Sequence, residues 1–268
     1  MGRRKTITSR DNPTIKGLRA LAADGREVRR QDRTLLDGPH LIEAYRRHGG
    51  VPEMLVVSES GAGNLEATCL LDAFPTVETL ELSDSLFREI SGVATPVGIL
   101  AAIRLPEVPA GPIPGSCVLL DAVQDSGNVG AILRTAAAAG VEEIVLGAGC
   151  AGAWTPRVLR AAQGAHFALR IREQADLSRI LKEFSGTSVA TVVSDGTSLF
   201  DLDLGGKIGW IFGNEGAGVA GELVALATRR ITIPIAVATE SLNVAAAAAI
   251  CLFEGVRQRS RGKGAQDE

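Results

Sequence analysis

The sequence predicts an α/β protein with a parallel sheet in its C-terminal part and a smaller α/β domain before it. After residue 115, six short apolar runs alternate with segments of helical periodicity. Such runs are expected when helices cover both faces of a parallel sheet. Four prolines within residues 105–115 indicate a stiff linker. We therefore predict domains at 1–104 and 116–268, joined by residues 105–115.

The composition supports a well-packed globular chain. Of the 268 residues, 46% are hydrophobic, and the mean hydropathy is +0.17, which excludes a largely disordered protein. No apolar stretch reaches the roughly 18 residues of a membrane span. The charged N-terminus lacks the apolar core of a signal peptide. These features predict a cytoplasmic protein with no membrane span.

Local patterns predict the N-terminal elements. A helical segment over residues 5–31 is led by the turn residues 9–13, and another helix is predicted over 39–47. Ser83 is placed to cap a helix that ends at Ile90. Apolar or β-branched runs predict strands at 34–36, 54–57, 77–82 and 97–103.

The C-terminal elements follow a strand–helix rhythm. The first helix carries an apolar stripe that starts at Val129, and Gly140 ends it. The last helix, over 242–258, is apolar on every side at first, so we expect a partner subunit to cover part of it. Strands are predicted at 117–120, 143–146, 168–171, 188–193, 208–212 and 230–233.

The net charge of −3 conceals an uneven distribution. Residues 1–34 hold ten Lys or Arg and four acids, a local charge of +6, whereas the rest of the chain carries −9. A basic segment on an acidic body suits contact with nucleic-acid phosphates, and a solvated helix face explains it equally well. The candidate phosphate contacts are Arg10, Lys16, Arg19, Arg26 and Arg30.

The four cysteines and three histidines show no metal-ligand spacing, so no metal site is predicted. Cys117 and Cys251 lie in apolar runs. This placement predicts buried free thiols in a reducing compartment.

Three segments place polar residues directly after predicted strands, where ligands of open α/β sheets bind. The first begins at Asp121 and includes Asn128 and Arg134. The second spans residues 211–216, and the third consists of residues 233–235 followed by 240–244. We expect these three segments to form one site.

Arg134 lies off the apolar stripe of its helix and has two interpretations. It is either a surface arginine, or an arginine paired with Glu215 for structure, or a cation held by Glu215 and directed at a reacting oxygen. Because arginine does not readily lose its proton, stabilising developing negative charge, or fixing a phosphate or ribose, suits it better than acting as a base.

The other polar residues also have structural explanations. Helix capping accounts for Ser241, which precedes the last helix. It does not account for Asn243, which we expect to be buried and therefore to need hydrogen-bond partners. Gly213 and Gly216 fit an ordinary β-turn or the close approach of a ligand to the backbone.

Residues 147–152 match the Gly-x-Gly-x-x-Gly spacing of a dinucleotide-binding loop, with Glu173 at a suitable distance. The loop follows the second strand of its domain rather than the first. Residues 153–156 then delay the next helix, whereas a phosphate loop needs the helix to begin at once. A dinucleotide-dependent oxidoreductase is therefore kept only as an alternative.

Taken together, the three segments resemble the motifs of the SpoU/TrmH family of SPOUT methyltransferases over residues 116–257. The N-terminal part resembles the small RNA-binding domain of many members, a fold similar to certain ribosomal proteins, through residues 9–16, 36–40 and 90–99. The motifs are Asn128-x-Gly130-x-x-x-Arg134-Thr135-Ala136, Gly213-Asn214-Glu215-Gly216-x-Gly218, and Ile233-Pro234 with Ser241-Leu242-Asn243-Val244.

This resemblance implies methyl transfer from S-adenosylmethionine to a ribose 2′-hydroxyl of RNA. It also implies a homodimer through the C-terminal domain and a trefoil knot in that domain. Arg134 would activate the hydroxyl, and the residues that arrange the site would be Asn128, Glu215, Ser241 and Asn243. The cofactor would be held at Gly213, Asn214, Ile233, Leu242 and Ser194.

Ribosomal RNA, and specifically 23S rRNA, is the predicted substrate, because the smallest tRNA-modifying relatives lack the N-terminal domain. Two alternatives share the fold. One is a tRNA 2′-O-methyltransferase, and the other is a non-catalytic RNA-binding or ribosome-assembly protein.

Overall fold

The structure is a computed structural model that describes residues 4–108, 110–236 and 238–264, with residues 261–264 as backbone only. The chain divides into two compact units. The N-terminal unit comprises Met1–Glu107 together with Trp154–Phe167. The C-terminal unit comprises Val108–Ala153 and Ala168–Glu268. The domain boundaries given above stay a prediction.

A five-stranded sheet of order β1-β4-β3-β5-β2 lies at the centre of the N-terminal unit. Strand β4 pairs in parallel with β1 and β3, whereas β5 is antiparallel to β3 and β2. The strands are β1 (Arg4–Ile7), β2 (Arg33–Asp37), β3 (Met54–Ser58), β4 (Glu78–Leu82) and β5 (Ile99–Arg104). The helices are α1 (Pro13–Ala23), α2 (Gly25–Gln31), α3 (Pro39–Arg47), α4 (Leu65–Ala73) and α5 (Asp84–Ile90).

The single helical segment predicted over residues 5–31 is wrong in two respects. Its start is the edge strand β1, and Asp24 divides the remainder into α1 and α2 by accepting a hydrogen bond from the Arg26 N–H at 2.8 Å. The predicted cap at Ser83 is confirmed, since its hydroxyl accepts from the Leu86 N–H at 3.4 Å.

The segment Trp154–Phe167 packs within the N-terminal unit although residues on both sides of it belong to the other unit. The Thr34 hydroxyl donates to the Trp154 carbonyl at 2.6 Å in a buried position, and the rings of Tyr45 and Phe167 lie 5.1 Å apart. The segment contains helix α7 (Pro156–Ala162). Long-range contacts of this kind leave no local signal in the sequence.

A seven-stranded sheet of order β10-β12-β9-β11-β6-β7-β8 forms the C-terminal unit, and its neighbouring strands are parallel. The strands are β6 (Cys117–Leu120), β7 (Glu143–Gly147), β8 (Arg170–Ala175), β9 (Thr187–Thr191), β10 (Thr197–Ser198), β11 (Ile208–Phe212) and β12 (Arg229–Thr232). The helices are α6 (Ser126–Ala138), α8 (Leu177–Glu183), α9 (Gly221–Leu226) and α10 (Val244–Gly264).

The predicted α/β class with a parallel C-terminal sheet is confirmed. Strands β6 and β11 are fully buried along their length, as their uninterrupted apolar sequences predict. Gly140 follows the end of α6 with φ of +73°, a conformation that favours glycine. The trefoil knot stays a prediction.

Buried free thiols are confirmed for two of the four cysteines. Cys117 and Cys251 are buried, and burial raises the pKa of each thiol to about 12. Cys69 is exposed. Within the ranges that the structure describes, no three His, Cys, Asp or Glu side chains cluster as a metal site. Among the same residues, no helix has the length and apolarity needed to cross a bilayer.

Candidate functional site

A cavity of about 320 Å³ lies at the carboxyl ends of three neighbouring strands, β9, β11 and β12. Its walls come from the residues after these strands and from the start of α10. This is the edge at which open parallel sheets bind ligands. The second and third polar segments both line it, through residues 213–216 and 240–244.

Side chains and backbone tie the turn after β6 to the turn after β11. The Asn214 amide donates to the Ala122 carbonyl at 2.9 Å, and the Asp121 carboxylate accepts from the Ala220 N–H at 2.8 Å. Ala122 has φ of +52°, which is uncommon for a residue with a side chain. These bonds hold the first segment beside the cavity.

Asn128 connects all three segments. Its Nδ2 donates to Glu215 Oε1 at 3.0 Å, and its Oδ1 accepts from Asn243 Nδ2 at 2.9 Å. Both ends of the amide are therefore engaged, so its orientation is fixed. The expected convergence of the three segments is confirmed at this residue.

Glu215 also accepts from the N–H groups of Gln124 at 3.3 Å and Asp125 at 3.2 Å. Burial alone would raise the pKa of Glu215, but the hydrogen bonds from Asn128 and the turn N–H groups outweigh it and lower that pKa. The carboxylate is therefore ionised at neutral pH and acts only as an acceptor.

The predicted pairing of Arg134 with Glu215 is wrong. Glu215 is occupied by Asn128 and the turn, and Arg134 is exposed on α6. Among the residues that the structure describes, the Arg134 guanidinium forms no ion pair or hydrogen bond. Helix α6 thus carries both Asn128, whose orientation is fixed by hydrogen bonds, and Arg134, whose guanidinium is available to a substrate group.

Asn243 caps the last helix, so the capping role assigned to Ser241 is wrong. The expected burial of Asn243 is also wrong, since this residue is exposed. Asn243 Oδ1 accepts from the N–H groups of Ala245 at 2.9 Å and Ala246 at 3.2 Å, because α10 begins at Val244. The Ser241 hydroxyl lines the cavity and makes no hydrogen bond within the described ranges. It is therefore available to a ligand.

Four of the five residues predicted to hold a cofactor line the cavity, and these are Gly213, Asn214, Ile233 and Leu242. The Asn214 side chain is occupied in its own turn, where its oxygen accepts from the Gly216 and Ala217 N–H groups at 2.9 and 3.0 Å. Ser194 lies outside the lining, with its hydroxyl donating to Asp195 at 3.2 Å. Residues 191–193, which precede Ser194 in the sequence, line the cavity instead of Ser194.

A Cβ at Gly213 would lie 2.1 Å from the carbonyl carbon of Gly218 and 2.2 Å from the Val219 nitrogen. These neighbours are backbone atoms that cannot rotate away. Asn214 and Gly218 exchange two backbone hydrogen bonds at 3.0 and 2.9 Å across the same turn. Gly213 is therefore required by the tight turn, in agreement with the turn interpretation.

The loop 147–152 does not have the geometry of a dinucleotide site. The next helix, α7, begins only at Pro156. A Cβ at Gly147 would lie 2.8 Å from Leu177 Cδ1, so packing explains this glycine. The Ala151 N–H donates to the Val123 carbonyl at 2.9 Å instead of facing outward.

Most residues of the predicted basic surface are engaged in ion pairs. Arg10 and Arg19 both pair with Glu89, Lys16 pairs with Asp11 at 3.0 Å, and Arg30 pairs with Glu27. Arg26 is exposed. Their contact with RNA stays a prediction.

Sequence reasoning missed the roles of Asp121 and of residues 191–193. Asp121 directly follows the apolar strand β6, which was a usable signal for a residue at the strand end. Thr191, Val192 and Val193 looked like the end of an ordinary strand, and only the packing of three strands shows that they form a wall.

Comparisons with known proteins agree with this geometry. A family model described as "SpoU rRNA Methylase family" matches residues 115–253. A second, described as "MRM3-like substrate binding domain", matches residues 12–101. The chain is 32% identical to the 23S rRNA (guanosine(2553)-2′-O)-methyltransferase RlmP of Bacillus subtilis, over 93% of this chain and 98% of the relative.

Solved structures are similar over nearly the whole chain. An RNA 2′-O ribose methyltransferase superposes with a TM-score of 0.79 at 30% identity, covering 95% of this chain and 99% of its own. An AdoMet-bound rRNA methyltransferase of Sinorhizobium meliloti superposes with a TM-score of 0.82 at 27% identity, covering 96% and 98%.

Proposed function

Since this chain belongs to the SpoU rRNA methylase family, we propose that it transfers the methyl group of S-adenosylmethionine to a ribose 2′-hydroxyl of 23S rRNA. The observation that carries this proposal is the connection of three strand-end segments through Asn128, beside a cavity with an available serine hydroxyl. A two-unit chain with a match to a substrate-binding domain favours ribosomal RNA over tRNA.

The cavity fits S-adenosylmethionine. Its volume of about 320 Å³ falls within the range of small-molecule sites, roughly 300–1,000 Å³. Its described lining contains the carboxylates of Glu215 and Glu240 and no Lys, Arg or His. Such a lining suits a cation and would repel a pyrophosphate, which argues against the dinucleotide alternative. The bound cofactor supplies an electrophilic methyl group on a sulfonium sulfur.

The chain's own residues hold and align the acceptor. Asn128 is locked by Glu215 and Asn243, so it presents one fixed face to the substrate. We assign to Arg134 the stabilisation of the negative charge left on the 2′-oxygen as its proton passes to solvent water, and to Ser241 a hydrogen bond to the bound ligands. Formation of the oxygen–methyl bond would break the methyl–sulfur bond and leave a neutral thioether. Alignment of the hydroxyl with the methyl donor contributes the remainder of the rate.

The proposed function has a direct test. Calorimetric titration should detect binding of S-adenosylmethionine and none of NAD. Tritium from the labelled methyl group should pass to protein-free 23S rRNA and, to a much smaller extent, to bulk tRNA. Transfer mainly to tRNA would replace the substrate with the tRNA alternative. Cofactor binding with transfer to no RNA would favour the non-catalytic alternative.

Replacing Gly213 with Ala should weaken S-adenosylmethionine binding by about 10- to 100-fold. The added methyl group overlaps the backbone of Gly218 and Val219, so the turn must move in the free protein. Restoring the original wall when the cofactor binds then costs the overpacking energy, about 1–3 kcal/mol. Calorimetry gives the dissociation constant. The matched control is Gly221→Ala in α9, where a Cβ meets no atom within 4 Å. Equal affinities of the two variants would contradict the placement of the cofactor.

We further propose a homodimer through the C-terminal unit. Helix α10 leaves Ile250 and Phe253 37% and 49% exposed, and Val193 and Phe200 are also exposed in this unit. Ile250 and Phe253 lie three residues apart on α10 and so share one face of the helix, which a second copy of the chain would cover. A trefoil knot in the C-terminal unit and a cytoplasmic location are proposed as well.

A further inference from the structure

The proposed function requires a surface for the phosphates of RNA. We propose that the N-terminal unit forms this surface from four arginines, two on α2 and two on α7: Arg26, Arg29, Arg157 and Arg160. This inference rests on the proposed function for the identity of the polyanion. It differs from the prediction based on the charge of residues 1–34, because half of the surface lies far away in the sequence.

The four arginines differ from their neighbours in having no acidic partner. In the described part of the chain, none of them forms an ion pair within 4 Å. By contrast, Arg10 and the remaining arginines of α1, α2, α3, β2 and β5 are paired with carboxylates, and Arg88 of α5 donates to the Asp84 carbonyl at 3.1 Å. These pairs join Arg10 and Arg19 to Glu89, Arg30 to Glu27, Arg33 to Glu53, Arg46 and Arg47 to Glu43, and Arg104 to Asp32.

The two helices meet at their first residues. A Cβ on Gly25, where α2 begins, would lie 2.8 Å from Thr155 Cγ2, directly before α7. Both helices also pack against the edge strand β2. Arg26 therefore lies beside the start of α7, and Arg157 lies beside the start of α2. The contact thus brings the starts of two segments that are distant in the sequence together, and each start carries an exposed arginine that is unpaired within the described ranges.

Arg157 and Arg160 are three residues apart on α7, so they lie on one face of the helix. Arg157 is exposed. The guanidinium of Arg160 lies against the backbone of Gly92, where a Cβ would be 2.6 Å from its Nη2. Gly92 and Ser91 donate to the Asp37 carboxylate at 3.0 and 2.8 Å. Arg160 is thus held in position without an ion pair of its own.

The acids near this surface are already engaged. Asp24 caps α2 through the Arg26 N–H, Glu27 pairs with Arg30, and Asp32 pairs with Arg104. Burial raises the pKa of Asp37, against the hydrogen bonds from Ser91 and Gly92 and the nearby charge of Arg160. None of these carboxylates forms an ion pair with the four arginines among the described residues, so the four guanidinium groups stay available to a polyanion. Guanidinium groups match the geometry of phosphate oxygens, which favours a phosphodiester backbone as the partner.

The test compares three charge-matched variants in binding to protein-free 23S rRNA between about 50 and 200 mM salt. The first replaces Arg26, Arg29, Arg157 and Arg160 with Gln. The second replaces four paired arginines, Arg33, Arg46, Arg47 and Arg104, with Gln. The third replaces Arg10, Lys16, Arg19 and Arg30 with Gln. Far-ultraviolet circular dichroism and cooperative urea unfolding, with Trp154 as the fluorescent reporter of the N-terminal unit, verify that each variant is folded.

The first variant should bind RNA at least about tenfold more weakly at 100 mM salt. Its slope of log K against log salt should be shallower by about 3, since each lost phosphate contact removes about 0.7–0.9. The second and third variants should change the slope by less than about 1. A slope change that is equal in all three variants, or largest in the second or third, would overturn the proposal.

Failure of this surface and failure of the proposed function give different results. If the wild-type protein methylates 23S rRNA and the first variant binds as the wild type does, the surface is wrong and the function stands. If the wild type transfers no methyl group but the first variant alone loses salt-dependent RNA binding, the surface stands and the catalytic function is wrong.

Discussion

Replacing Arg134 with Ala should lower kcat for RNA methylation by about 10²–10³-fold, the usual effect of removing one group that stabilises charge in the transition state. Arg134 is exposed, has no partner among the described residues, and follows Asn128 on α6. It does not line the cavity. The dissociation constant of S-adenosylmethionine should therefore change by less than about twofold, since the substitution leaves the cofactor wall intact.

Steady-state initial rates over a range of RNA concentrations, at saturating S-adenosylmethionine, separate the two possible roles of Arg134. A loss in kcat with a nearly constant KM indicates charge stabilisation, whereas a raised KM with an unchanged kcat indicates that Arg134 only binds a phosphate. The control is Arg179→Ala, an exposed arginine of α8 paired with Glu183 at 2.9 Å. Full activity of the Arg134 variant would remove it from the reaction.

Replacing Glu143 with Ala should lower the free energy of unfolding of the C-terminal unit by about 3–5 kcal/mol. Glu143 begins β7 and is 1% exposed, and it forms ion pairs with Arg172 at 2.6 Å and Arg170 at 3.2 Å. Removing the carboxylate leaves two partly buried cations without their counter-charge. Arg172 also donates to the Gly111 carbonyl at 2.8 Å, so the linker should loosen as well.

Urea unfolding followed by tryptophan fluorescence measures this effect. Of the two tryptophans, Trp210 lies in β11 and Trp154 lies in the N-terminal unit. A Trp154→Phe background therefore reports on the C-terminal unit alone. The matched control is Glu142→Ala in the same background, because Glu142 is 69% exposed and its pair with Arg170 should contribute at most about 1 kcal/mol. Equal losses in both variants would contradict the argument.

The sequence predicted the fold best where strands are buried on both faces. The runs that form β6 and β11 are continuous and apolar, and their predicted bounds agree with the structure. The edge strand β1 reads Arg-Lys-Thr-Ile and is mostly exposed, so it has no apolar pattern to detect. The packing of α7 with the N-terminal unit depends on contacts such as Thr34 with Trp154, 120 residues apart.

The candidate site could be located from the sequence, but its internal bonds could not. Strand ends of a parallel sheet converge by topology, so the meeting of Asn128, Glu215 and Asn243 was predictable. The partner of Glu215 depends on side-chain directions that spacing does not fix. The cap of α10 depends on where the helix begins, and the shift from 242 to Val244 transfers the cap from Ser241 to Asn243.

Alkaline digestion of RNA labelled by this enzyme tests the central claim most directly. Alkali cleaves RNA through the free 2′-hydroxyl, so a 2′-O-methylated nucleotide stays joined to its 3′ neighbour. We expect the tritium from labelled S-adenosylmethionine to be recovered in an alkali-stable dinucleotide from 23S rRNA. Recovery of the label in mononucleotides would show methylation of a base and would contradict the account.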